Sequence, residues 1–435
     1  MNSFIAIIGV SIFFVYSGWH LTYLLPSTSR VERTGLSFLF GSGMTTFIWF
    51  VGYLLGLPFN LLTLGLSGLI LVLLGYLLSK FLKIKPTTTN ILLSTKLEKY
   101  LLVIAILSLT ISFAIGIYHP LTAWDSLAQY DFRGHAIAID HDLSFIRGGA
   151  YFISYPLMIS LVHAAVYMLG GISAQGIHSL VLVAFIVIIY GRMTSWTNSK
   201  YGILSCLLVI FQSEIFSHST FAYTNLPYTT FLVAGIMYIV SAGQYSILIG
   251  GLLIGLSTWV RASEVFWILG IVLVLWQGIK YKKLTIVALS IFIIMVMRLT
   301  WSTYQNYVFD SLNWTTSSTA SHFNIESLGK ITKEIKSIYW YTYLNIIFPY
   351  IGIWFLSFST TIAAITRRNM RSIMMIASIL LSSAMVVAGI MIFSTYYPSW
   401  NEIGDSARRM VLFIIPLSLI AAVYSLYLIN NKDIK

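Results

Sequence analysis

Charge is what this chain has least of. Asp, Glu, Lys and Arg make up 9% of its 435 residues, where a soluble domain carries roughly a quarter. That scarcity, with 58% hydrophobic residues and a mean hydropathy of +0.85, excludes an ordinary soluble protein. Cysteine is nearly absent. Cys206 is the single thiol, which rules out an internal disulfide and a cysteine-based zinc cluster. The apolar runs lack the period-two alternation of a membrane barrel. The N-terminus "MNSFIAIIGVSIFFVYSGW" lacks a basic leader region and a small-residue cleavage site, so it reads as a retained helix. No fixed-period repeat or low-complexity tract is visible.

What is present is a series of apolar runs long enough to span a bilayer. The expected helices are 2–22, 35–56, 58–80, 99–117, 174–191, 201–217, 225–241, 245–259, 264–279, 284–300, 341–361, 372–393 and 410–429. Segment 152–169, "FISYPLMISLVHAAVYML", is short and interrupted by polar groups. It is expected to lie along the membrane surface as a juxtamembrane helix. With thirteen spans and 152–169 not crossing, 17 of the 26 Lys and Arg residues gather on one side, among them Arg30, Arg33, Lys80, Arg192, Lys280 and Arg367. Basic residues collect in cytoplasmic loops. The expected topology therefore has the N-terminus outside and the C-terminus inside. The net charge of +12 reflects this bias and not nucleic-acid binding.

This organisation divides the chain into 1–98, three membrane helices and a basic cytoplasmic loop, and 99–429, a membrane core. Outer loops are expected at 118–151, 301–340 and 394–409, with some helix in 301–340 and no separate soluble domain. Glu214 and Arg298 are expected near helix ends.

The chemistry concentrates in "YHPLTAWDSLAQYDFRGHAIAIDHDL", residues 118 to 143. Asp125 follows Trp124 just past a membrane helix, where Trp is a natural interface anchor. A carboxylate at that depth is partly desolvated and suited to act as a general base. Asp131 and His135 are four apart and share a face if the segment is helical. The alternative is a solvated loop with Trp and Tyr as anchors. Asp131, His135, Asp140, His141 and Asp142 are residue types that hold a divalent ion such as Zn or Mn, but their spacing matches no recognised signature. Arg261 and Glu264 are three apart in "STWVRASEVF" and form either a boundary ion pair or a phosphate-facing cation. Arg408 and Arg409 are expected on the outer side against the charge bias, where an anionic ligand or lipid headgroups would draw them. "NWT" at 313–315 matches a glycosylation acceptor pattern.

Taken in order, these pieces resemble the GT-C superfamily of polytopic glycosyltransferases, which includes protein O-mannosyltransferases and aminoarabinose transferases. "AWDSLAQYDFRGHAI" is similar to the acidic segment of that family's first large outer loop. "YPLMISLVHAAVYMLGG" is similar to its Pro-containing "YPPL" segment, "TNLPYTTFLVAG" to its "DLPL" helix start, "STWVRASEVF" to its "TRPEG" turn, and "RRMVLFIIPL" to its late "RYxxPxxPL" start. The chain departs from the pattern at Asn225, where many relatives carry a second acid, and at Leu157, where they carry a second Pro. The resemblance implies inverting transfer of a sugar from a polyprenyl-phosphate donor to a lipid, glycan or protein hydroxyl, on the outer face of a bacterial or archaeal plasma membrane. It implies Asp125 as general base and Tyr130, Asp131, His135 and Tyr155 as positioning residues. Arg408, Arg409 and Arg261 would hold the donor phosphate. A divalent Mg, Mn or Zn ion near Asp125, Asp131 and His135 is the one cofactor to consider. The competing readings are an O-antigen-type polymerase or ligase and a secondary transporter.

Overall fold

The computed structural model describes residues 2–25, 27–84, 87–89, 95–241, 243–261, 265–312, 325–367, 369–394 and 408–431. They fold into two compact units, Met1–Gln305 and Asn306–Lys435, in which helix predominates. Eight helices among the described residues are long and apolar enough to cross a membrane. The chain is a helical membrane protein.

In the first unit the helices are α1 (Asn2–Gly18), α2 (Arg30–Leu54), α3 (Leu61–Phe81), α4 (Lys96–Tyr118), α5 (Phe132–Asp140), α6 (Met158–Met168) and α7 (Gly176–Trp196). They continue with α8 (Ser199–Ile210), α9 (Ser213–His218), α10 (Asn225–Val240), α11 (Gln244–Val260), α12 (Trp267–Tyr281) and α13 (Leu284–Ser311). Polar caps start the long ones. The Ser29 hydroxyl accepts the Glu32 amide at the head of α2. Capping boxes at Asn60–Thr63 and Thr95–Glu98 open α3 and α4, satisfying amides that have no partner within the helix.

Close approach sets the packing of α1 on α2. A Cβ at Gly41 would overlap the Phe14 carbonyl, and one at Gly18 would overlap the Ser37 carbonyl. Small residues let membrane helices bring their backbones together in this way. Helix α2 also packs on α7, α4 on α7, α5 on α6, and α10 on α11.

Two sets of contacts group the connections by face. Strand β1 (Ser27–Ser29), between α1 and α2, pairs in parallel with β2 (Thr87–Thr89), between α3 and α4. These are the only strands among the described residues, a small departure from a purely helical expectation. On the same face, Glu32 of α2 pairs with Arg192 at the end of α7 and accepts from the Tyr238 hydroxyl near the end of α10. Arg30, Arg33 and Arg192 are among the basic residues expected on one side. At the other ends of the helices, the Phe59 amide donates to the His141 carbonyl at 2.9 Å, joining the α2–α3 turn to the 118–151 segment.

Several expected elements differ in length. Segment 152–169 contains α6, only 11 residues long. At 1.5 Å per residue it rises about 16 Å, too little to cross a bilayer. Met158 through Val166 are all buried, so α6 is covered by other parts of its unit. The expected span 201–217 is broken at Phe211 and Gln212 into α8 and α9. Helix α13 runs for 28 residues, so Arg298 sits in its middle and not near an end. Helices α8, α10, α11 and α12 are apolar but shorter than the eight long spans.

In the second unit α14 (Ile325–Thr342), α15 (Ile351–Arg367), α16 (Met370–Ser394) and α17 (Ile414–Asn430) follow. Helix α14 supplies the helix expected within 301–340. Helix α15 starts ten residues after the expected start at 341. Helix α17 packs on both α15 and α16, and Arg371 donates to the Tyr424 hydroxyl at 3.1 Å.

Candidate functional site

The 118–151 segment is mostly helix. After α4 ends at Tyr118, a wide π-helical turn spans Ser126–Asp131 and runs directly into α5. The left-handed backbone of His141 (φ 60°) stops α5, the usual geometry for closing a helix. A π turn rotates side chains away from the α-helical register and is frequent at functional sites. Here it points Gln129, Tyr130 and Asp131 inward, and all three are buried.

Arg133 anchors this turn. It is fully buried, and its guanidinium donates to four main-chain carbonyls: Gln129 (3.2 Å), Phe152 (3.2 Å), Tyr155 (2.8 Å) and Pro156 (3.4 Å). One side chain thereby ties the turn to the chain before α6. Burial lowers its pKa to about 10, partly offset by Tyr130, Tyr151 and Tyr155, so it stays charged at neutral pH.

Asp131 lies at the centre of a polar chain. Its carboxylate accepts from the Tyr167 hydroxyl and sits 3.3 Å from Nδ1 of both His135 and His163. The His135 ring stacks on Tyr167 with centroids 3.7 Å apart. Beyond Asp131, His163 Nε2 faces His178 Nε2 at 3.2 Å. Both rings are fully buried, and two facing ring nitrogens share a proton, one donating and the other accepting. Burial opposes ionisation of Asp131, but hydrogen bonds from His135, His163 and Tyr167 outweigh it. The carboxyl is held well below the usual carboxylate range. The hydrogen bond to Asp131 raises the pKa of His135.

A second cluster joins Tyr130, Tyr155 and Arg261. The buried Tyr130 hydroxyl lies 3.0 Å from Thr224 Oγ1, and burial raises its pKa. Arg261 donates to Asn225 Oδ1 and, at 3.4 Å, to Thr224 Oγ1. Its guanidinium lies over the Tyr155 ring, 5.1 Å from the centroid. Asn225 Nδ2 meets His218 Nε2 at 3.2 Å. Asn225 thus bridges an arginine and a histidine.

Asp125 stands just before the π turn and is half-buried. The Tyr151 phenol is raised by burial and then by the Asp125 charge. Trp124 beside it is exposed, as an interface anchor would be.

The structure brings together Tyr130, Tyr155 and Arg261, and separately Asp131 and His135. Arg408 and Arg409 stand at the first turn of the last candidate span, Arg408–Asn430, in the second unit. Arg408 is exposed and Arg409 partly buried. Glu264, the 313–315 pattern and most of loop 394–409 lie outside the described residues.

Among the described residues, no group of three or more His, Cys, Asp or Glu side chains is placed to hold a metal ion. Asp131 meets two histidines and a tyrosine directly. Sequence reasoning assigned no role to Arg133, His163, Tyr167, His178 or Thr224. Two histidines within apolar helical sequence were the available signal, since intramembrane ionisable groups are functional by default.

Compared with known proteins, the chain matches no family profile, no curated protein and no solved structure.

Proposed function

We propose that the protein is a membrane glycosyltransferase that moves a sugar from a polyprenyl-phosphate donor to an acceptor hydroxyl on the outer face of a plasma membrane. The observation that carries this reading is Asp125, a half-buried carboxylate on an anchored π turn beside Tyr151. Tyr130, Tyr155 and Tyr223 belong to the same aromatic surroundings. Aromatic faces suit the C–H faces of sugars, and a partly desolvated acid suits removal of a hydroxyl proton. Asp131 is a poor base because its charge is already stabilised by three donors. In this reading Asp125 takes the acceptor proton as the hydroxyl attacks the anomeric carbon with inversion. Arg261 faces the leaving phosphate, where negative charge builds in the transition state. Asp131, His135, Tyr130 and Tyr155 position the substrates.

The test supplies radiolabelled polyprenyl-phosphate sugars to membranes carrying wild type or Asp125→Asn at equal protein level, with and without EDTA. The expected result is transfer by wild type and a loss of about 10²–10⁴-fold in the variant. Equal transfer by both removes Asp125 as the base.

One observation favours a second reading, a proton-coupled secondary transporter. Half-exposed His135, Asp131, and buried His163 and His178 form a line of titratable groups, the kind of chain that relays protons in membrane carriers. Proton uptake into proteoliposomes on adding a solute, abolished by His163→Gln while sugar transfer is absent, would establish that reading instead.

A further inference from the structure

A cavity of about 80 Å³ opens at the end of α4, lined by Ile115, Leu121, Ser126, Gln175, Thr220 and Phe221 among others. At about 10–15 Å³ per water centre it has room for about five to eight waters. That is the bulk of one polyhydroxylated six-membered ring.

Two residues of its lining carry unsatisfied polar atoms. Ser126 is fully buried and Gln175 is 1% exposed, yet Ser126 Oγ and Gln175 Oε1 have no hydrogen-bond partner in the protein. Buried polar atoms are nearly always paired. Thr220, on the same wall, shows the contrast, since its hydroxyl donates to the Ser217 carbonyl at 2.9 Å. The wall is also held in place. Ser112 Oγ bonds Ser219 Oγ at 2.6 Å, and Ser179 donates to the Ser219 carbonyl at 2.9 Å. This hydroxyl network fixes the turn that carries Thr220 and Phe221.

The chemistry of the wall selects the ligand. Its lining includes no Asp, Glu, Lys or Arg, and its one titratable side chain, His119, has Nδ1 engaged with the Pro120 carbonyl at 2.8 Å, so no fixed charge is there to balance a phosphate, a carboxylate or a cation. Gln175 Oε1 only accepts, so the ligand must carry an O–H or N–H donor. Phe221, 40% exposed, and Leu121 present apolar surface to the other side of such a ligand.

We propose that this cavity binds a neutral polyhydroxylated ring of one-sugar size, with hydroxyls on Ser126 Oγ and Gln175 Oε1 and its C–H face against Phe221 and Leu121. The binding is independent of the transferase reading, because Asp125 does not line the cavity.

The test uses the full chain in nanodiscs and saturation-transfer NMR with glucose, galactose and N-acetylglucosamine, and with glucose 6-phosphate as the charged comparison. The neutral sugars should bind and the phosphate should not. Ser126→Ala and Gln175→Leu should each weaken binding about tenfold, the worth of one hydrogen bond. Both should fold normally, since neither atom bonds the protein. Phe221→Ala, at a partly exposed position, is a third variant that weakens binding without touching the core. Absence of binding by all three neutral sugars, or wild-type binding in all three variants, overturns the site and leaves a water-filled void. Stronger binding of the phosphate overturns the neutral chemistry. Failure of the transfer assay changes none of these outcomes.

Discussion

His163 holds Nδ1 3.3 Å from the Asp131 carboxylate, and its other nitrogen meets His178. A buried carboxylate and two buried imidazoles are thereby committed to one another. Asp131→Asn leaves His163 facing a neutral amide in the interior. Breaking one partner of a buried pair costs about 3–5 kcal/mol, so the variant should melt well below wild type in nanodiscs. A melting temperature within a degree or two would show that the contact contributes little.

The same carboxylate gives the protein a pH signature. Asp131 has a depressed pKa, so its contribution is present above the ordinary carboxylate value of about 4 and fades as pH falls through the lower folded value. His135 has a raised pKa. Its contribution is present below about pH 6.5 and is lost as pH rises through the raised value. The His135 side chain is 45% exposed, so solvent screens the pair and the effect is small. Thermal unfolding should therefore show a shallow decline above about pH 6.5 in wild type. In His135→Gln that decline should vanish while the acid-side loss remains.

Gly134 bears on the geometry around His163. A Cβ there would fall 2.6 Å from His163 Cβ and 3.2 Å from the Ser160 carbonyl. Helix propensity alone favours Ala over Gly by about 1 kcal/mol, but overpacking a filled interface costs about 1–3 kcal/mol. Steric conflict between α5 and α6 should win. Gly134→Ala is expected to lower the melting temperature, whereas Gly329→Ala, with nothing within 4 Å of its Cβ, should not.

At the opposite face Glu32, fully buried, pairs with Arg192 and accepts from Tyr238. Glu32→Gln should cost about 3–5 kcal/mol, and the double change Glu32→Leu with Arg192→Met should restore most of it. The fraction of protein that stays monodisperse in detergent on heating measures both.

Arg133→Lys keeps the charge and loses the fork. A lysine ammonium cannot reach four carbonyls spread across Gln129, Phe152, Tyr155 and Pro156. The expected loss is about 2–4 kcal/mol, with protease sensitivity appearing first in the 118–157 segment. Unchanged proteolysis would argue that the turn is held by other contacts.

The membrane class was legible because apolar runs announce themselves by length and composition. Glu32 and Arg192, which lie near residues expected on one side, do meet. Asp131 and His135 were readable as a pair from their spacing alone. Lengths were less readable. The expected span 201–217 runs through Phe211 and Gln212 although the helix stops there, and past Thr300 the chain turns polar although α13 continues to Ser311. The role of Arg133 could not be read, because its acceptors are main-chain carbonyls, and every residue has one. The inward turn of Gln129, Tyr130 and Asp131 depends on a π register that no side-chain pattern encodes. His163 and His178 were visible as letters but not as neighbours of Asp131, since that contact depends on α6 being covered within its unit.

The short pairing of Ser27–Ser29 with Thr87–Thr89 imposes an order on assembly. Its partners lie 60 residues apart (87 minus 27), with α2 and α3 as the crossover that parallel strands require. At about 5–20 residues per second of synthesis, roughly 3–12 s separate the appearance of one strand from the other. Through that interval the first two helices are in the bilayer with one polar strand unmatched. The clasp closes only after the third helix has turned back, so it seals a hairpin that has already inserted.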